Sequence, residues 1–276
     1  MPLDYHRLKS LPPARAEQAW TAQQTILYAL GVGAMELPFV YEKDLRALPT
    51  MCAILAAPPL FTKDNGFGLD LRRILHIEQS LEIHAPIPVA GNFTGESRFD
   101  RIVDKGENAI IHTSRRIFDE EGTHFATAGV AIMARGGGGF GGGDPAPPVR
   151  PFPLDAPPDL TVRLPTAANQ AMLYRLSGDR NPLHIDPAMA RVGGFERPIL
   201  HGMCSYGIAG RALIAALCGN DPAGLKSMQC RFSAPVFPGE TIRTEIWRAG
   251  GGSVRFRAVV EGREVAVLTQ GFAQLH

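Results

Sequence analysis

The chain has 276 residues, of which 45% are hydrophobic and 20% charged, and its formal net charge is +1. This composition is typical of a globular protein that buries one large core or two smaller ones, and the near-zero charge argues against nucleic acid or an anionic membrane as a partner. No apolar run reaches the roughly 18 residues of a membrane helix. The four cysteines, Cys52, Cys204, Cys218 and Cys230, are scattered without CxxC spacing, which argues against a disulfide scaffold or a zinc site.

The two ends of the sequence carry no recognisable address. The first twenty residues, MPLDYHRLKSLPPARAEQAW, lack the apolar core of a secretory signal peptide. The last four, AQLH, do not contain the peroxisomal tripeptide. We therefore predict a cytoplasmic protein with reduced thiols.

The first half of the chain is predicted to be a helix followed by a group of strands. The segment TILYALGVGA (25–34) precedes LEIHAPIPVAG (81–91). Three runs with strand character follow, and DKGEN and DEEG separate them as turns: GNFTGESRFDRIV, AIIHTSRRIF and HFATAGVAIMA.

A glycine- and proline-rich strap, GGGGFGGGDPAPPVRPFPLDAPP (136–158), divides the sequence. Glycines make a chain flexible and prolines keep it extended, so this composition predicts a linker. We predict an N-terminal domain over residues 1–135, the linker over 136–158 and a C-terminal domain over 159–276.

The second half repeats the plan of the first. The segment AMLYRLSGDR resembles TILYALGVGA, with Tyr174 matching Tyr28, and CRFSAPVFPGE resembles LEIHAPIPVAG. Strand candidates follow again, as TIRTEIW, SVRFRAVV and EVAVLTQGFAQ. Long strands after a helical stretch predict an α+β unit in which an antiparallel sheet wraps a helix. Two such units in one chain predict a pseudo-dimer.

Three helices are predicted in the second half. The first covers about 167–177 and ends at Gly178. The second opens with Asp186 as N-cap and Pro187 as its first residue. The third, Gly202–Leu217, is long and mostly apolar, and its glycines suggest close approach by a sheet. We expect it to be the buried central helix.

The stretch LYRLSGDRNPLHIDP places an acid, an amide and an imidazole where the backbone cannot stay helical. Gly178 and Pro182 break the helix, so a turn can bring Asp179 and His184 to one point as a general acid–base pair. Asn181 can hold that turn by local hydrogen bonds. The competing interpretation is that Asp and Asn stand here only because turns favour them.

A second feature lies just before the apolar helix, in RPILHG. The Gly202 amide should be an unpaired helix-terminal donor, open to an oxyanion because glycine has no side chain. The alternative is that Gly202 only permits a tight turn. For His201 we expect an N-cap or packing role rather than catalysis.

These residues resemble a known family. The segments YRLSGDRNPLHIDPAMA and GFERPILHGMCSYGIAGRAL are similar to the MaoC-like, R-specific 2-enoyl-CoA hydratases, or hydratase 2, and the similarity extends over nearly the whole chain. The resemblance implies a double hotdog fold, with two antiparallel sheets each wrapped around a long central helix. It also implies an acyl-CoA substrate and neither a metal nor a redox cofactor.

The resemblance further implies a role for four residues. Asp179 and His184 would hold and activate a water, Asn181 would support that pair, and the Gly202 amide would receive the thioester oxygen. The reaction would be reversible hydration of trans-2-enoyl-CoA to (R)-3-hydroxyacyl-CoA. The repeat places Gly33 where the second half has Asp179, and no Asn-Pro-Leu-His follows it. We therefore expect one active site per chain, with the first half accommodating the acyl chain, in a homodimer or a pseudo-dimeric monomer.

Three other functions compete with this one. A hotdog thioesterase would use a similar carboxylate and amide on the same substrates, and the first half alone resembles a non-catalytic acyl-CoA-binding subunit. A metal site could draw on Asp179, His184, Asp186 and His201, although their spacing is not that of a known metal motif. The intact Asp179 and His184 favour hydration.

Overall fold

A computed structural model describes residues 2–60, 73–148 and 156–276. Within those ranges, ten strands form one antiparallel sheet. Their bounds are β1 (Ala14–Trp20), β2 (Ile74–Ile83), β3 (Gly91–Lys105), β4 (Asn108–Phe118), β5 (His124–Ala134), β6 (Leu160–Pro165), β7 (Leu225–Phe232), β8 (Thr241–Gly250), β9 (Ser253–Val260) and β10 (Val265–Leu275).

The order of the strands confirms the internal repeat. It reads β1-β3-β4-β5-β2 in the first half and continues as β7-β10-β9-β8-β6 in the second, so the two halves are mirror lists of equivalent strands. Strands β2 and β7 pair at the centre, from Glu78↔Arg231 to Glu82↔Ser227. Their last residues are the first residues of the matched LEIHAPIPVAG and CRFSAPVFPGE segments. The two expected sheets are therefore joined edge to edge into one, which removes two free edges.

All six strands predicted after the matched segments are present, whereas the central strands β2 and β7 and the edge strands β1 and β6 were not predicted. Strand β1 pairs with β3 and β6 pairs with β8 at the outer edges of the sheet. LTVRLP alternates apolar with polar residues, which is itself a strand pattern, whereas Gln18 interrupts the alternation in ARAEQAW. A segment such as ARAEQAW gains its strand conformation by pairing with a neighbour, which periodicity alone does not reveal.

Six α-helices lie among the described residues. They are α1 (Tyr5–Ser10), α2 (Ala22–Gly31), α3 (Leu37–Val40), α4 (Gln170–Tyr174), α5 (Pro187–Val192) and α6 (Gly202–Leu217). Asp186 caps α5 and Pro187 begins it, as predicted. No helix in the described part of the chain is long and apolar enough to cross a bilayer.

The long central helix is found in the second half but has no equal in the described part of the first. Helix α6 has eleven buried residues and contacts β6, β7 and β8. At the corresponding place before β2, the first half has a 3₁₀ helix of five residues, Pro49–Ala53, all of them buried. The expectation of a long helix in each half needs this correction. Prolines recur through 38–59 at intervals too short for a long helix to form.

The two halves share one core that runs through α6. Tyr28 of α2 and Tyr174 of α4, the matched residues of the repeat, are both buried with ring centroids 6.2 Å apart. A Cβ on Gly207 would collide with Val32, and one on Gly210 would lie 2.6 Å from Thr50. The glycines of α6 therefore let the first half approach the helix, not the sheet as predicted.

The glycine-rich part of the strap packs on the β3–β4 turn. The Asp104 carboxylate accepts hydrogen bonds from the amides of Gly106, Gly139 and Gly141 at 2.9–3.1 Å. A Cβ on Gly138 would collide with the Asn108 carbonyl. Glycine is needed here for close backbone packing on the β3–β4 turn rather than for flexibility. Residues 149–155 of the predicted linker lie outside the described residues, and the domain boundaries stay a prediction.

Candidate active site

A hydrogen-bonded turn presents the predicted acid and imidazole. Gly178 ends the preceding helix with a φ of 126°, a conformation that favours glycine. The Asp179 Oδ1 accepts from the Asn181 amide at 3.1 Å, and the Asn181 Oδ1 accepts from the Leu183 amide at 3.0 Å. Asn181 thereby caps the 3₁₀ turn Pro182–His184. One carboxylate oxygen of Asp179 is used in the turn and the other is available.

The turn brings three of the four candidate metal ligands together. A carboxylate oxygen of Asp179 and one ring nitrogen each of His184 and His201 all lie within 4.8 Å of one another. The fourth, Asp186, is instead the N-cap of α5, where it accepts from the Ala188 amide at 2.7 Å. The predicted pair of Asp179 and His184 is therefore assembled, with His201 beside it.

His184 is held as a neutral imidazole. Its side chain is buried, and its Nδ1 lies 2.9 Å from the Ile199 carbonyl oxygen. A carbonyl oxygen only accepts, so Nδ1 carries the proton and Nε2 keeps a free lone pair. Burial lowers the pKa of His184 and outweighs the raising effects of the Ile199 carbonyl and the Asp179 charge. A neutral ring with an open Nε2 can accept a proton.

His201 is enclosed more completely, and of the two roles expected for it the structure shows packing rather than N-capping. Its side chain is 1% exposed and occupies the N-cap position of α6 without making a capping bond. Its Nε2 donates to the main-chain oxygen of Asp179 at 3.1 Å, and its ring stacks on that of His184 at 3.8 Å. Burial lowers its pKa to about 4, so this ring is also neutral near pH 7.

Gly202 lies at the start of α6, next to His201. No group among the described residues accepts from its amide, as expected for the first turn of a helix. A Cβ here would lie 3.2 Å from two atoms of the Phe232 ring. The amide is thus a free donor at the positive end of a 16-residue helix, against an aromatic wall.

His76, from β2 of the first half, also reaches the Phe232 ring, and it was not predicted as a site residue. Its ring meets Phe232 edge-on at 4.8 Å between centroids. His76 is open to a cavity yet crowded on its other sides, and the loss of hydration lowers its pKa to about 4. The cavity measures about 450 Å³ and is lined by Ala53, Ile54, Ile74, His76, Gln79, Val130, Ile132 and Met203. Only strand pairing brings His76 here, so no local motif could have revealed it.

A larger groove lies elsewhere. It measures about 760 Å³, crosses β2 and β7, and contains none of the predicted site residues. Its lining mixes charged side chains such as Glu78 and Arg231 with apolar ones. The smaller cavity is the one that adjoins the start of α6, through Met203.

The three-residue cluster does not fit a metal ion as it stands. A metal lies in the plane of each imidazole that binds it, at about 2.1 Å from the nitrogen. The planes of His184 and His201 are inclined by only 27° and stacked at 3.8 Å, so they do not meet at that distance. Both rings would have to turn before they could share an ion with Asp179.

Comparisons with known proteins agree with this architecture over the whole chain. Residues 19–136 match the family described as MFE-2 hydratase 2 N-terminal domain, and residues 151–269 match the MaoC like domain. The 3-hydroxyacyl-thioester dehydratase Y of Mycobacterium tuberculosis is 43% identical, covering 90% of this chain and 88% of its own. A probable enoyl-CoA hydratase 2 of Dictyostelium discoideum is 39% identical, covering 97% and 93%.

A solved structure gives the same result for the fold. The crystal structure of a MaoC-like dehydratase from Phytophthora capsici superposes with a TM-score of 0.91 at 35% identity, covering 99% of each chain. The predicted α+β double hotdog fold is thereby confirmed, with the correction to the first half described above. The chain belongs to the MaoC-like enoyl-CoA hydratase 2 family of hydro-lyases.

Proposed function

We propose that this hydro-lyase adds water reversibly to trans-2-enoyl-CoA to give (R)-3-hydroxyacyl-CoA, with Asp179 and His184 activating the water. The hydroxyl group is added to the β-carbon and a proton to the α-carbon. Asn181 supports the pair by capping the turn that carries His184. The Gly202 amide receives the thioester oxygen.

One observation carries the proposal: the carboxylate of Asp179 and a ring nitrogen of His184 lie within 4.8 Å of each other. Among the described residues no direct hydrogen bond joins the two side chains. A separation of up to 4.8 Å leaves room for a water that bonds to both groups, because two bonds of about 2.8 Å span at most about 5.6 Å. A water held at both sides is oriented before substrate arrives, which lowers the entropy cost of attack.

The protonation states support the same chemistry. His184 is neutral with Nε2 unprotonated, so it can take a proton from the water or return one. Asp179 can accept a hydrogen bond from the water through its second oxygen. Either residue can perform either transfer in this geometry, and the proposal assigns only the pair.

The β-carbon is electrophilic only when negative charge can move to the thioester oxygen. A donor at that oxygen therefore stabilises the enolate-like transition state more than the substrate. The free Gly202 amide, at the N-terminus of α6 and directly after His201 in sequence, supplies such a donor.

The first half supplies space for the acyl chain. The cavity beside Met203 is lined mainly by apolar side chains of the first half, among them Ile54, Ile74 and Ile132. Its volume of about 450 Å³ supports acceptance of chains longer than crotonyl. This half has Gly33 in place of an acid, and it supplies most of the apolar lining of the cavity.

Hydration measured across short, medium, long and branched enoyl-CoA substrates tests the proposal, with chiral analysis of the product. We expect loss of the enoyl group, formation of the (R)-3-hydroxy product and no free thiol. Release of CoA thiol would indicate a thioesterase, and binding without turnover would indicate an acyl-CoA-binding subunit. Unchanged rates after chelation are expected, since the reaction proposed uses neither a metal nor another cofactor.

We also propose that a single chain is a pseudo-dimer with one active site. The pairing of β2 with β7 supports this proposal, because one chain already contains both halves of the sheet. Light scattering of the purified protein distinguishes a monomer from a homodimer of such chains.

We further propose that the protein is located in the cytoplasm. Fluorescence microscopy of the tagged protein tests this location.

A further inference from the structure

We propose that His201 is a positioning residue that holds Asp179 and His184 at the separation a bridging water needs. The inference rests on the proposed function and deepens it. In this proposal His201 contacts neither the activated water nor the substrate. It acts through the two residues that do.

The contacts of His201 join three parts of the site. Its Nε2–H holds the main-chain oxygen of Asp179 at 3.1 Å, which fixes the backbone that carries the carboxylate. Its ring covers one face of the His184 ring at 3.8 Å, which limits rotation of that imidazole. It also immediately precedes Gly202 at the start of α6. A single side chain thus links the acid, the imidazole and the helix end.

The chemistry of this position is costly for stability, which argues against a filling role alone. His201 is 1% exposed, and its Nδ1 has no hydrogen-bond partner among the described residues. A buried nitrogen without a partner opposes folding, whereas an apolar ring would fill the same space without that cost. The neighbouring Tyr174 ring, 5.0 Å away on another side, shows that aromatic rings are accommodated here.

The neutral state of His201 is part of the role. A positive charge stacked on His184 would oppose any proton transfer to that imidazole. Burial and the neighbouring His184 keep the His201 ring uncharged at neutral pH. A neutral ring can donate to the Asp179 carbonyl and stack on His184 without opposing proton transfer.

Three substitutions separate the two contacts. His201→Phe keeps the stacking ring and loses the donor, His201→Gln keeps a donor and loses the ring, and His201→Ala loses both. We expect kcat to fall by on the order of 10- to 100-fold in Phe and Gln and further in Ala, because small misplacements of reacting groups are costly. KM should change by less than about threefold, since the acyl and CoA contacts are untouched. The Tm of His201→Phe should be unchanged or higher.

A double-mutant cycle makes the test specific. In the Asp179→Asn background, His201→Phe should slow the enzyme by less than about twofold more, because groups acting as a unit are not additive. Tyr174→Phe is the matched control: it lies at the same depth, its hydroxyl has no partner among the described residues, and its kcat should stay normal.

Several results would overturn the inference. These are a normal kcat in His201→Phe, a loss confined to KM, an additive loss in the double mutant, or an equal loss in Tyr174→Phe. If Ala does not fold, Phe and Gln still decide the question. An active Asp179→Asn protein would contradict the proposed function itself, whereas an inactive Asp179→Asn with a normal His201→Phe would reject only the role of His201.

Discussion

The two halves of the chain share a strand order but differ at equivalent positions around α6. The second half carries Asp179 and His184 on a turn, followed by a helix of 16 residues with a free amide at its start. The first half has Gly33 at the place of Asp179 and, in its described part, a 3₁₀ helix of five residues in place of the long one. Under the proposed function, one fold therefore supports a reactive half and a half that shapes the cavity.

The position left by the missing acid has been given a structural use. The Arg211 side chain of α6 is buried there, donating to the Val32 carbonyl at 3.0 Å and to both Glu36 carboxylate oxygens at 3.0 and 3.1 Å. Gln170 donates to the neighbouring carbonyls of Leu30 and Gly31. The polar groups that surround Gly33 thus fasten the halves together. Duplicated folds can lose a site and keep its neighbourhood as an interface.

The comparison predicts that all activity depends on the second half. Asp179→Asn keeps the size of the side chain and an oxygen for the turn, so folding should be preserved, but kcat should fall by on the order of 10²–10⁴. His184→Ala should be similarly slow, and the double mutant only slightly slower than either single one. Steady-state kinetics on one enoyl-CoA, with circular dichroism as a check on folding, measures this. Near-normal kcat in a folded Asp179→Asn protein would mean that the turn has no catalytic role.

A second prediction concerns acid stability, to which imidazoles with lowered pKa values contribute in both halves, His76 in the first and His201 in the second. His201 has its pKa lowered to about 4, against about 6.5 in the unfolded chain, so the unfolded state binds its proton first as pH falls. The contribution of the neutral His201 to the free energy of unfolding should be complete above pH 6.5 and should decrease between about pH 6.5 and pH 4. Because His201 stacks on His184, the two imidazoles should lose this stability together.

Urea unfolding at a series of pH values measures this loss. His201→Phe should show a shallower decline over the same interval, because its ring cannot titrate. His112→Phe, at a half-buried site in the first half, is the comparison variant. An unchanged slope in His201→Phe would show that this imidazole is not the titrating group.

The sequence predicted the strands and the turn well because both depend on local patterns. Alternation, strand-forming composition and turn signals together located six strands, and glycine, asparagine and proline specified the Gly178–His184 turn. It did not predict the contacts of His76 and His201, because these depend on the pairing of β2 with β7 and on the packing at the start of α6. The shortened first-half helix was also missed. The recurring prolines before residue 60 were the available sign of it.

Asn181 should matter less than the pair that it supports. Asn181→Ala removes the side-chain cap on the turn of His184, and loss of such a cap typically costs about 0.5–2 kcal/mol. It leaves the main-chain N–H of residue 181 that donates to Asp179. We expect kcat to fall about tenfold as His184 becomes less well placed. Asn181→Ser, whose hydroxyl can also cap the turn, should recover much of the rate. Equal loss in the two variants would point to a direct role of the Asn181 side-chain amide in the reaction.

Restoring the missing acid should produce the smallest effect of all. Gly33 has a φ of +75°, and a Cβ there would lie 3.4 Å from Arg211 Nη1, an ordinary contact. Asp tolerates this left-handed conformation better than most residues, and its carboxylate would lie close to the Arg211 guanidinium. We therefore expect Gly33→Asp to fold, with a change in stability of no more than about 1 kcal/mol, and to leave kcat unchanged. Gly33→Ala, which has the backbone strain without the charge, is the control.

The stronger form of the test puts Gly33→Asp into the Asp179→Asn protein. No activity should return, because no Asn-Pro-Leu-His follows Gly33, and because Arg211, already paired with Glu36, would hold the new carboxylate as a counter-ion rather than leave it free to bind water. Recovery of hydration in that double variant would mean that the first half lacks only its acid.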